Sequence, residues 1–453
     1  MNRLASRTLL PAFLICATAG LLAATPCAAQ MYGGGSSSSS KPPSMPSVPS
    51  APSAPPAHSS GGSSGHISKA VTPQIQDAQK ALQAKDFQTA MAKLKEAQAI
   101  SDRTDFDTYI INRLIVSAAV GLNDMATAAT AVEAAADSPA MPPDDKKTVL
   151  HDALQLATLE KQYPKVIQYG QQLAAMNALD AQNAEMLAIA YYDSNDFPHA
   201  QQYAQQSIAL AKAAGQPPGQ NALMITMSSQ AKQNNQAGAE QTLEQLALQT
   251  NSPDTWGQLV GVTFGTKGMN DTMGIFLYRL LIVSGAAKGS DYKEMGNSLQ
   301  LLGYPTEAVN VLQQGVSSGK ISSGEAGATL GRARRDAAAD ERMLPQIANA
   351  AAKSKTGEQE IKLAEDYWGY GRYADAEAAA RRAIGKGGLK TPAEGPMMIG
   401  AAEVAQGKYA DAIQTLSQIS GNEAATRTAH LWSLYAQAKQ GGHSAAAPAA
   451  PAH

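Results

Sequence analysis

Histidines, acidic pairs and glycine-rich turns are the residues of this sequence that could support catalysis or metal binding. No two of the seven histidines stand three or four residues apart with a carboxylate, the spacing of a helical zinc site. Four of them fall near the two ends of the chain, at His58, His66, His443 and His453. We therefore expect solvated or packed histidines, no metal site and no cofactor.

Two short patterns imitate catalytic motifs. Residues 61–65 match the G-x-S-x-G form of a nucleophile elbow, but they lie in a Ser/Gly tract without the strand-to-helix turn that this motif needs. Residues 315–320 have the wrong spacing for a phosphate-binding P-loop. Acidic pairs such as Asp144-Asp145 lie in predicted turns, where burial cannot tune them for acid–base work. The sequence therefore predicts no enzyme.

The first residues resemble a secretion signal. Two arginines precede an apolar run over residues 9–22, which is shorter than the ~20 residues needed to cross a bilayer. Small residues follow, as signal peptidase requires, so residues 1–29 are a predicted signal peptide and Gln30 is the predicted mature start. An uncleaved anchor and a lipoprotein are the alternatives. Neither Cys16 nor Cys27 follows a small residue that suits lipidation.

Charge and cysteine content narrow the classes of protein. Lys and Arg number 36 and Asp and Glu number 38, a net charge of −2 that argues against a nucleic-acid partner. Both cysteines lie in the predicted signal, so the mature chain would hold no disulfide, thiolate zinc site or cysteine nucleophile. No second apolar run has spanning length, so no transmembrane segment is expected after signal cleavage.

The rest of the chain divides by composition. Residues 30–71 are rich in Ser, Pro and Gly and are predicted to be a disordered linker, and residues 441–453 a disordered tail. Between them apolar residues recur at helical spacing, and no sustained run of alternating β-branched residues suggests a strand. The fold class predicted from this pattern is all-α.

An internal repeat organises the helical part. A polar turn precedes an aromatic or apolar residue, here named the anchor, and a small or apolar residue follows three positions later. Successive anchors are 38, 38, 34, 39, 34, 35, 68 and 36 residues apart. The anchors are Phe87, Met125, Tyr163, Phe197, Gln236, Asn270, Pro305, Tyr373 and Tyr409. Because 68 is twice 34, a degenerate anchor is expected near residue 339.

This pattern resembles the tetratricopeptide repeat (TPR), a helix-turn-helix unit of ~34 residues. Residues Leu187, Ala188 and Tyr191 match the family's Leu, Gly/Ala and Tyr positions, as do Leu363, Ala364 and Tyr367. The resemblance implies a right-handed solenoid of about ten repeats over residues 72–421. A helix over 422–440 would then cap its last apolar face.

The resemblance also assigns roles to residues. The anchors Phe87, Tyr163, Phe197, Tyr373 and Tyr409 are expected to be structural and largely buried. Small residues three after and nine before the anchors would let paired helices approach closely. The nine-before positions include Ala78, Ala188, Gly261, Gly296, Ala364 and Gly400.

Candidate binding residues follow from the first helix of each unit, which lines the concave face in the TPR family. Lys293 and Asn297 resemble the first-repeat pair of a TPR carboxylate clamp, for which Lys362 is a plausible later partner. We expect Trp368 to be an exposed recognition residue, although it could instead pack within its repeat. The positions carried over are Arg113, His151, Glu185, Tyr192, Lys293, Asn297, Lys362, Glu365 and Trp368.

A basic cluster needs a separate interpretation. Arginines 332, 334, 335 and 342 alternate with Asp336, Asp340 and Glu341. Such charges three or four residues apart usually form a solvated helix face that stabilises its own helix. An anionic-ligand patch is the alternative.

The function predicted from these features is a non-catalytic scaffold. It would be exported to the periplasm or beyond and would bind a protein or peptide through the concave face of the solenoid, in envelope assembly or polymer export. The first alternative is a polysaccharide or small-ligand binder, which should carry more than 5% aromatic residues. The second is a cell-envelope enzyme without a recognisable motif.

Overall fold

The computed structural model describes residues 65–444. The predicted signal peptide, most of the predicted linker and residues 445–453 of the predicted tail lie outside this range. The described residues form twenty α-helices and a short 3₁₀ turn at Pro143–Asp145, with no strand among them. The prediction of an all-α repeat fold is confirmed.

The helices fall into two compact units, which meet in sequence between Ala239 and Glu240. The N-terminal unit contains α1–α9, and the C-terminal unit contains α11–α20. The helices are α1 (Thr72–Gln83), α2 (Phe87–Gln98), α3 (Asp105–Gly121), α4 (Met125–Ala136), α5 (Lys146–Leu159), α6 (Tyr163–Ala175), α7 (Ala181–Asp193), α8 (Phe197–Ala213), α9 (Gln220–Lys232), α10 (Gln236–Thr250), α11 (Pro253–Phe264), α12 (Asp271–Val283), α13 (Gly289–Leu302), α14 (Pro305–Ser317), α15 (Ser323–Lys353), α16 (Glu358–Gly369), α17 (Tyr373–Lys386), α18 (Glu394–Ala405), α19 (Tyr409–Ser417) and α20 (Glu423–Ser444).

The repeat register is visible in the turns. Eight of the nine anchors are the first residue of a helix, and Asn270 is the N-cap of α12. Two positions before each anchor the backbone has a positive φ, which Gly and Asn adopt most readily. These nine residues are Lys85, Asn123, Lys161, Asn195, Asn234, Gly268, Gly303, Gly371 and Gly407. A left-handed residue therefore closes each of these turns.

Side-chain caps complete several of these turns. The carboxylates of Asp86, Asp124 and Asp196 each accept a hydrogen bond from the backbone N–H three residues later. An aspartate at this position satisfies one of the free N–H groups at the start of a helix. The second helix of the unit consequently starts at a fixed residue.

Burial at the anchors differs from the expectation. The five aromatic anchors are only half-buried, because each lies at a helix end beside solvent. The residues that are fully buried are the small or apolar ones three positions later, such as Ala90, Ala200 and Ala376. Phe87 shows the packing: a Cβ atom at Gly121 would come within 2.4 Å of its ring. The anchors thus cover close helix contacts rather than fill the core.

The helix pair expected near residue 339 is absent from the structure. Residues Ser323–Lys353 form a single helix of 31 residues that runs through this position and contains Pro345. The step of 68 residues therefore spans one long helix, α15, and then α16, with no turn between paired helices near 339. Helix α16 instead packs on α14, where the Asn310 side chain donates to the Gly369 carbonyl at 2.7 Å.

The C-terminal helix closes its unit. Helix α20 packs on its neighbour α19 and also on α11 and α12, about 150 residues earlier. The Trp432 indole N–H donates to the Phe276 carbonyl at 3.0 Å, and the Tyr435 hydroxyl donates to the Val283 carbonyl at 2.7 Å. In a simple solenoid each repeat contacts only its neighbours. The C-terminal unit therefore departs from a linear array.

Two glycines nine positions before an anchor provide a test of the helix packing. A Cβ atom at Gly296 would lie 2.6 Å from Leu312 Cγ, whereas one at Gly261 would meet nothing within 4 Å. Both lie inside helices, where Ala is favoured over Gly by up to about 1 kcal/mol. We expect Gly261→Ala to be neutral or stabilising and Gly296→Ala to be destabilising by about 1–3 kcal/mol. Chemical denaturation of the two variants measures the difference, and equal effects would contradict the packing.

Candidate functional site

Lys293 and Asn297 lie together on an exposed edge of α13, facing α15. The Lys293 ammonium contacts Glu325 Oε1 at 2.8 Å, and the side chains of this pair are 39% and 48% exposed. Asn297 Oδ1 accepts a hydrogen bond from the Thr329 hydroxyl at 2.8 Å. One turn further on, the Gln300 amide donates to Asp336. These three contacts form a polar ladder, here named the α13–α15 ladder.

The later half of a carboxylate clamp is not assembled beside this ladder. Lys362 is exposed on α16, and its charge acts on Asp366 and Glu394 rather than on the ladder residues. Lys293 and Lys362 thus interact with different sets of acidic residues in the C-terminal unit. Lys293 and Asn297 lie on the same edge of α13, but the structure shows no contact that joins Lys362 to them.

Equivalent polar contacts in the N-terminal unit are less accessible. Arg113 on α3 contacts Asp152 on α5 at 2.9 Å, and both side chains are 10% exposed. Glu185 on α7 accepts from the Asn221 side chain at 3.1 Å. These pairs connect the first helix of one repeat to the first helix of the next. These contacts join successive repeats, and only 10% of the Arg113 side chain remains accessible to a ligand.

His151 and Tyr192 are also engaged within the N-terminal unit. The hydrogen bond with Asp152 raises the pKa of His151, burial opposes this effect, and Asp180 adds to it. The Tyr192 ring packs edge-on against the Phe197 anchor, with centroids 5.4 Å apart. Tyr192 therefore supports the turn between α7 and α8.

Trp368 is not the exposed recognition residue that the repeat pattern suggested. Its side chain is buried, and its ring lies 5.0 Å from that of the Tyr373 anchor. The guanidinium of Arg279 stacks on the Trp368 ring, with the Arg279 Cζ atom 4.7 Å from the ring centroid. The expectation of exposure is wrong because the buried guanidinium of Arg279, which the repeat pattern does not predict, covers the Trp368 ring.

That cation is the centre of the C-terminal unit. Arg279 on α12 is 2% exposed and binds Glu307 on α14 through two hydrogen bonds, of 2.8 Å from Nε and 2.6 Å from Nη2. Nη2 also donates to Glu365 on α16. The ring of Phe276 lies 5.0 Å from the guanidinium. We name Arg279, Glu307 and Glu365 the buried triad, and it joins three helices distant in sequence.

The charges of the buried triad are unequal. Burial lowers the pKa of Arg279, but the charges of Glu307 and Glu365 outweigh this effect and raise it, so the guanidinium stays charged. Burial raises the pKa of Glu365 although Arg279 acts in the opposite direction. One cation thus faces two carboxyl groups, and all three side chains are buried, so additional negative charge nearby is disfavoured.

Two further carboxyl groups near the buried triad, those of Asp366 and Glu394, have raised pKa values. Burial raises the pKa of Asp366 to about 7, with contributions from Asp340 and Glu365. Burial likewise raises the pKa of Glu394 to about 8, with contributions from Glu365 and Glu358. Both groups therefore hold a proton at or near neutral pH, which keeps the region around the triad from accumulating negative charge.

A sequence signal for the triad existed. Arg279 interrupts the otherwise apolar run of α12, whose residues from Ile275 to Leu281 are all buried. A charged residue inside such a run requires a partner when the helix is buried. The identity of the partners, Glu307 and Glu365, depends on how α14 and α16 pack and could not be read from their spacing.

The described residues offer no arrangement for metal chemistry or membrane crossing. Within residues 65–444, no three His, Cys, Asp or Glu side chains are grouped to hold a metal ion. No helix in the same range combines the length and the apolar character needed to cross a bilayer.

Comparison with known proteins gives structural neighbours only. No protein-family model and no curated protein sequence matches this chain. A chain of the Naa15/Naa10 complex bound to HypK-THB matches with a TM-score of 0.30 and 13% identity over 78% of this chain and 64% of that chain. The APC/C hetero-tetramer Cut9-Hcn1 matches with a TM-score of 0.24 and 11% identity over 78% and 81%. The TPR domain of P58(IPK) matches with a TM-score of 0.21 and 9% identity over 82% and 99%.

Removing the central cation should destabilise the C-terminal unit. We expect Arg279→Ala to cost about 3–5 kcal/mol, because it leaves two buried carboxylates without a counter-charge. The control Arg335→Ala, at an exposed position, should change stability by less than about 0.5 kcal/mol. The triple variant Arg279→Met/Glu307→Gln/Glu365→Gln should recover most of the loss in thermal and urea unfolding. An Arg279→Ala protein with unaltered unfolding would contradict the structural role.

Stability should fall as the pH rises from about 5 to 8.5. In the folded state Asp366 and Glu394 keep their protons to pH 7 and 8, whereas the unfolded chain loses them near pH 4. The folded state therefore binds more protons in this window, and stability decreases with pH. We expect Asp366→Asn to flatten the dependence of melting temperature on pH. The exposed substitution Glu341→Gln serves as the control, and parallel curves for all three proteins would refute the assignment.

Proposed function

We propose that the protein is a non-catalytic scaffold that binds a protein or peptide through the α13–α15 ladder. The observation that carries this proposal is the exposure of the Lys293–Glu325 pair beside Asn297, where the first helix of a repeat, α13, faces the long helix α15. Lys293 and Asn297 are two of the positions that the TPR resemblance implies for ligand binding.

The ladder can exchange its internal partner for an external one. An exposed ion pair contributes only about 0–1 kcal/mol, so a partner's carboxylate can replace Glu325 at Lys293 at little cost. The Arg113–Asp152 pair does not offer this exchange, because both of its side chains are nine-tenths buried. Of these two ion pairs, the exposed Lys293–Glu325 pair between α13 and α15 therefore suits binding better than the buried Arg113–Asp152 pair between α3 and α5.

Export to the cell envelope is the second part of the proposal. It rests on the basic residues, short apolar run and small-residue site of residues 1–29, and it places the scaffold in the periplasm or outside the cell. Intact mass of the secreted protein tests it. A chain that starts at Gln30 supports export, whereas retention of Met1 or a lipid-modified mass contradicts it.

The alternative of a polysaccharide or small-ligand binder gains no support from the structure. It relied on aromatic side chains in the groove, and Trp368 and Tyr192 are both packed against their own repeats. The scaffold proposal requires only the polar ladder.

Site-specific crosslinking tests the binding surface. A photo-reactive amino acid at Thr329, beside Asn297, should give a discrete crosslinked product in the envelope of the source cell, whereas the same probe at the exposed Gln313 of α14 should not. Adding Lys293→Glu should abolish the Thr329 product, because it reverses the charge that attracts the carboxylate. Adding Lys320→Glu, an exposed control in the same unit, should leave it intact. Identical products from both probe positions would contradict the proposed surface.

A further inference from the structure

Helix α15 is covered along one side only. Its buried residues are Ala326, Ala333 and Ala351, which are separated by seven and eighteen residues. Because an α-helix has 3.6 residues per turn, these separations place all three on one side. The opposite side of the 31-residue helix lies in solvent.

Arginines occupy that opposite side. Arg332, Arg335 and Arg342 are exposed, and Ala339, also exposed, completes a spacing of three, four and three residues. This spacing keeps the four residues on one stripe of the helix, as in the seam of a coiled coil. We name this stripe the arginine face, and it extends about 15 Å at 1.5 Å per residue.

The charge on the arginine face is not compensated within the described part of the chain. No described carboxylate lies within ion-pair distance of its three arginines, although Asp336 stands four residues after Arg332. Arg334, exposed on the same helix, is likewise unpaired among the described residues. The remaining arginines of the C-terminal unit are paired with carboxylates: Arg279, Arg372, Arg381, Arg382 and Arg427. The solvated-helix interpretation predicted pairing along the helix, and this pairing is not formed.

Three of the four acidic residues of α15 contact other parts of the C-terminal unit, and the fourth, Glu341, is exposed. Glu325 binds Lys293, Asp336 accepts from Gln300, and Asp340 accepts from the Tyr370 hydroxyl at 3.1 Å. Three of the four acids of the helix are thus directed toward neighbouring helices, and the three arginines of the arginine face are directed outward. This separation leaves a basic surface whose complement is acidic.

We propose that the arginine face docks an acidic α-helix of another protein. The spacing of Arg332, Arg335 and Arg342 matches carboxylates that recur every three or four residues, and guanidinium groups bind carboxylates through paired hydrogen bonds. The small side chain of Ala339 lets a second helix approach between the arginines. No aromatic residue lies on this face to stack on a sugar or a base, which favours a polypeptide over a polysaccharide or nucleic acid. The arginine face adjoins the α13–α15 ladder, because Arg332 lies between Thr329 and Asp336 on α15, but it consists of other residues and does not depend on the ladder.

Designed peptides test the charge pattern. The probe is a fluorescent helical peptide of 21 residues with Glu at three- and four-residue spacing on one face, compared with a scrambled peptide of the same composition. In anisotropy titrations of the full chain, the patterned peptide should bind at least tenfold more tightly, and its affinity should fall with added salt. Equal binding of the two peptides would overturn the proposal, as would stronger binding of a sulfated polysaccharide or of vesicles with 30% anionic lipid.

Two variants locate the binding to this face. The variant Arg332→Glu/Arg335→Glu/Arg342→Glu should lose at least tenfold in affinity, whereas Lys95→Glu/Lys147→Glu/Lys212→Glu, an equal charge change at exposed sites, should lose less than threefold. Ala339→Phe leaves the charge unchanged and should weaken the helical probe but not disordered polyglutamate. All these positions are exposed, and circular dichroism checks the fold. Loss of binding in the lysine variant, or no effect of Ala339→Phe, would refute helix docking.

Discussion

A single buried guanidinium determines how the C-terminal unit is arranged. Arg279 must keep Glu307 and Glu365 within hydrogen-bond distance, because a charge with 2% exposure cannot rely on solvent. These hydrogen bonds hold α12, α14 and α16 together, and the Arg279 guanidinium also lies over the ring of Trp368. Near this centre, burial raises the pKa of Asp366 to about 7, and Asp340 and Glu365 add to the rise. The Trp368 surface that the repeat pattern predicts to be open to a ligand is therefore covered by a charged side chain of the same chain.

The local part of the fold was predictable because it is encoded by nearby residues. A Gly or Asn with positive φ, followed by a polar cap such as Asp124, marks the start of the second helix. Each of these signals acts within a few residues, so spacing alone located nine turns. The all-α class followed from the same short-range information.

The long-range part was not predictable from spacing. The continuity of α15 through residue 339 depends on the absence of a turn signal, which a count of 34-residue steps cannot detect. The burial of Trp368 depends on Arg279, 89 residues earlier in the sequence. Of the candidate binding residues, Lys293 and Asn297 were grouped correctly, since one turn of a helix separates them. Lys362 was not, because its position depends on how α16 packs.

The closure made by α20 has a consequence for the history of this chain. An open array can lengthen or shorten by whole repeats, since each end offers a similar surface to the next unit. In the C-terminal unit the last helix must reach back to α12, because Trp432 and Tyr435 donate to carbonyls of that helix. An inserted or deleted repeat between α12 and α20 would move these donors away from their acceptors. Repeat number in this half of the protein is thus fixed by geometry, and sequence change there is confined to substitution and to loop length.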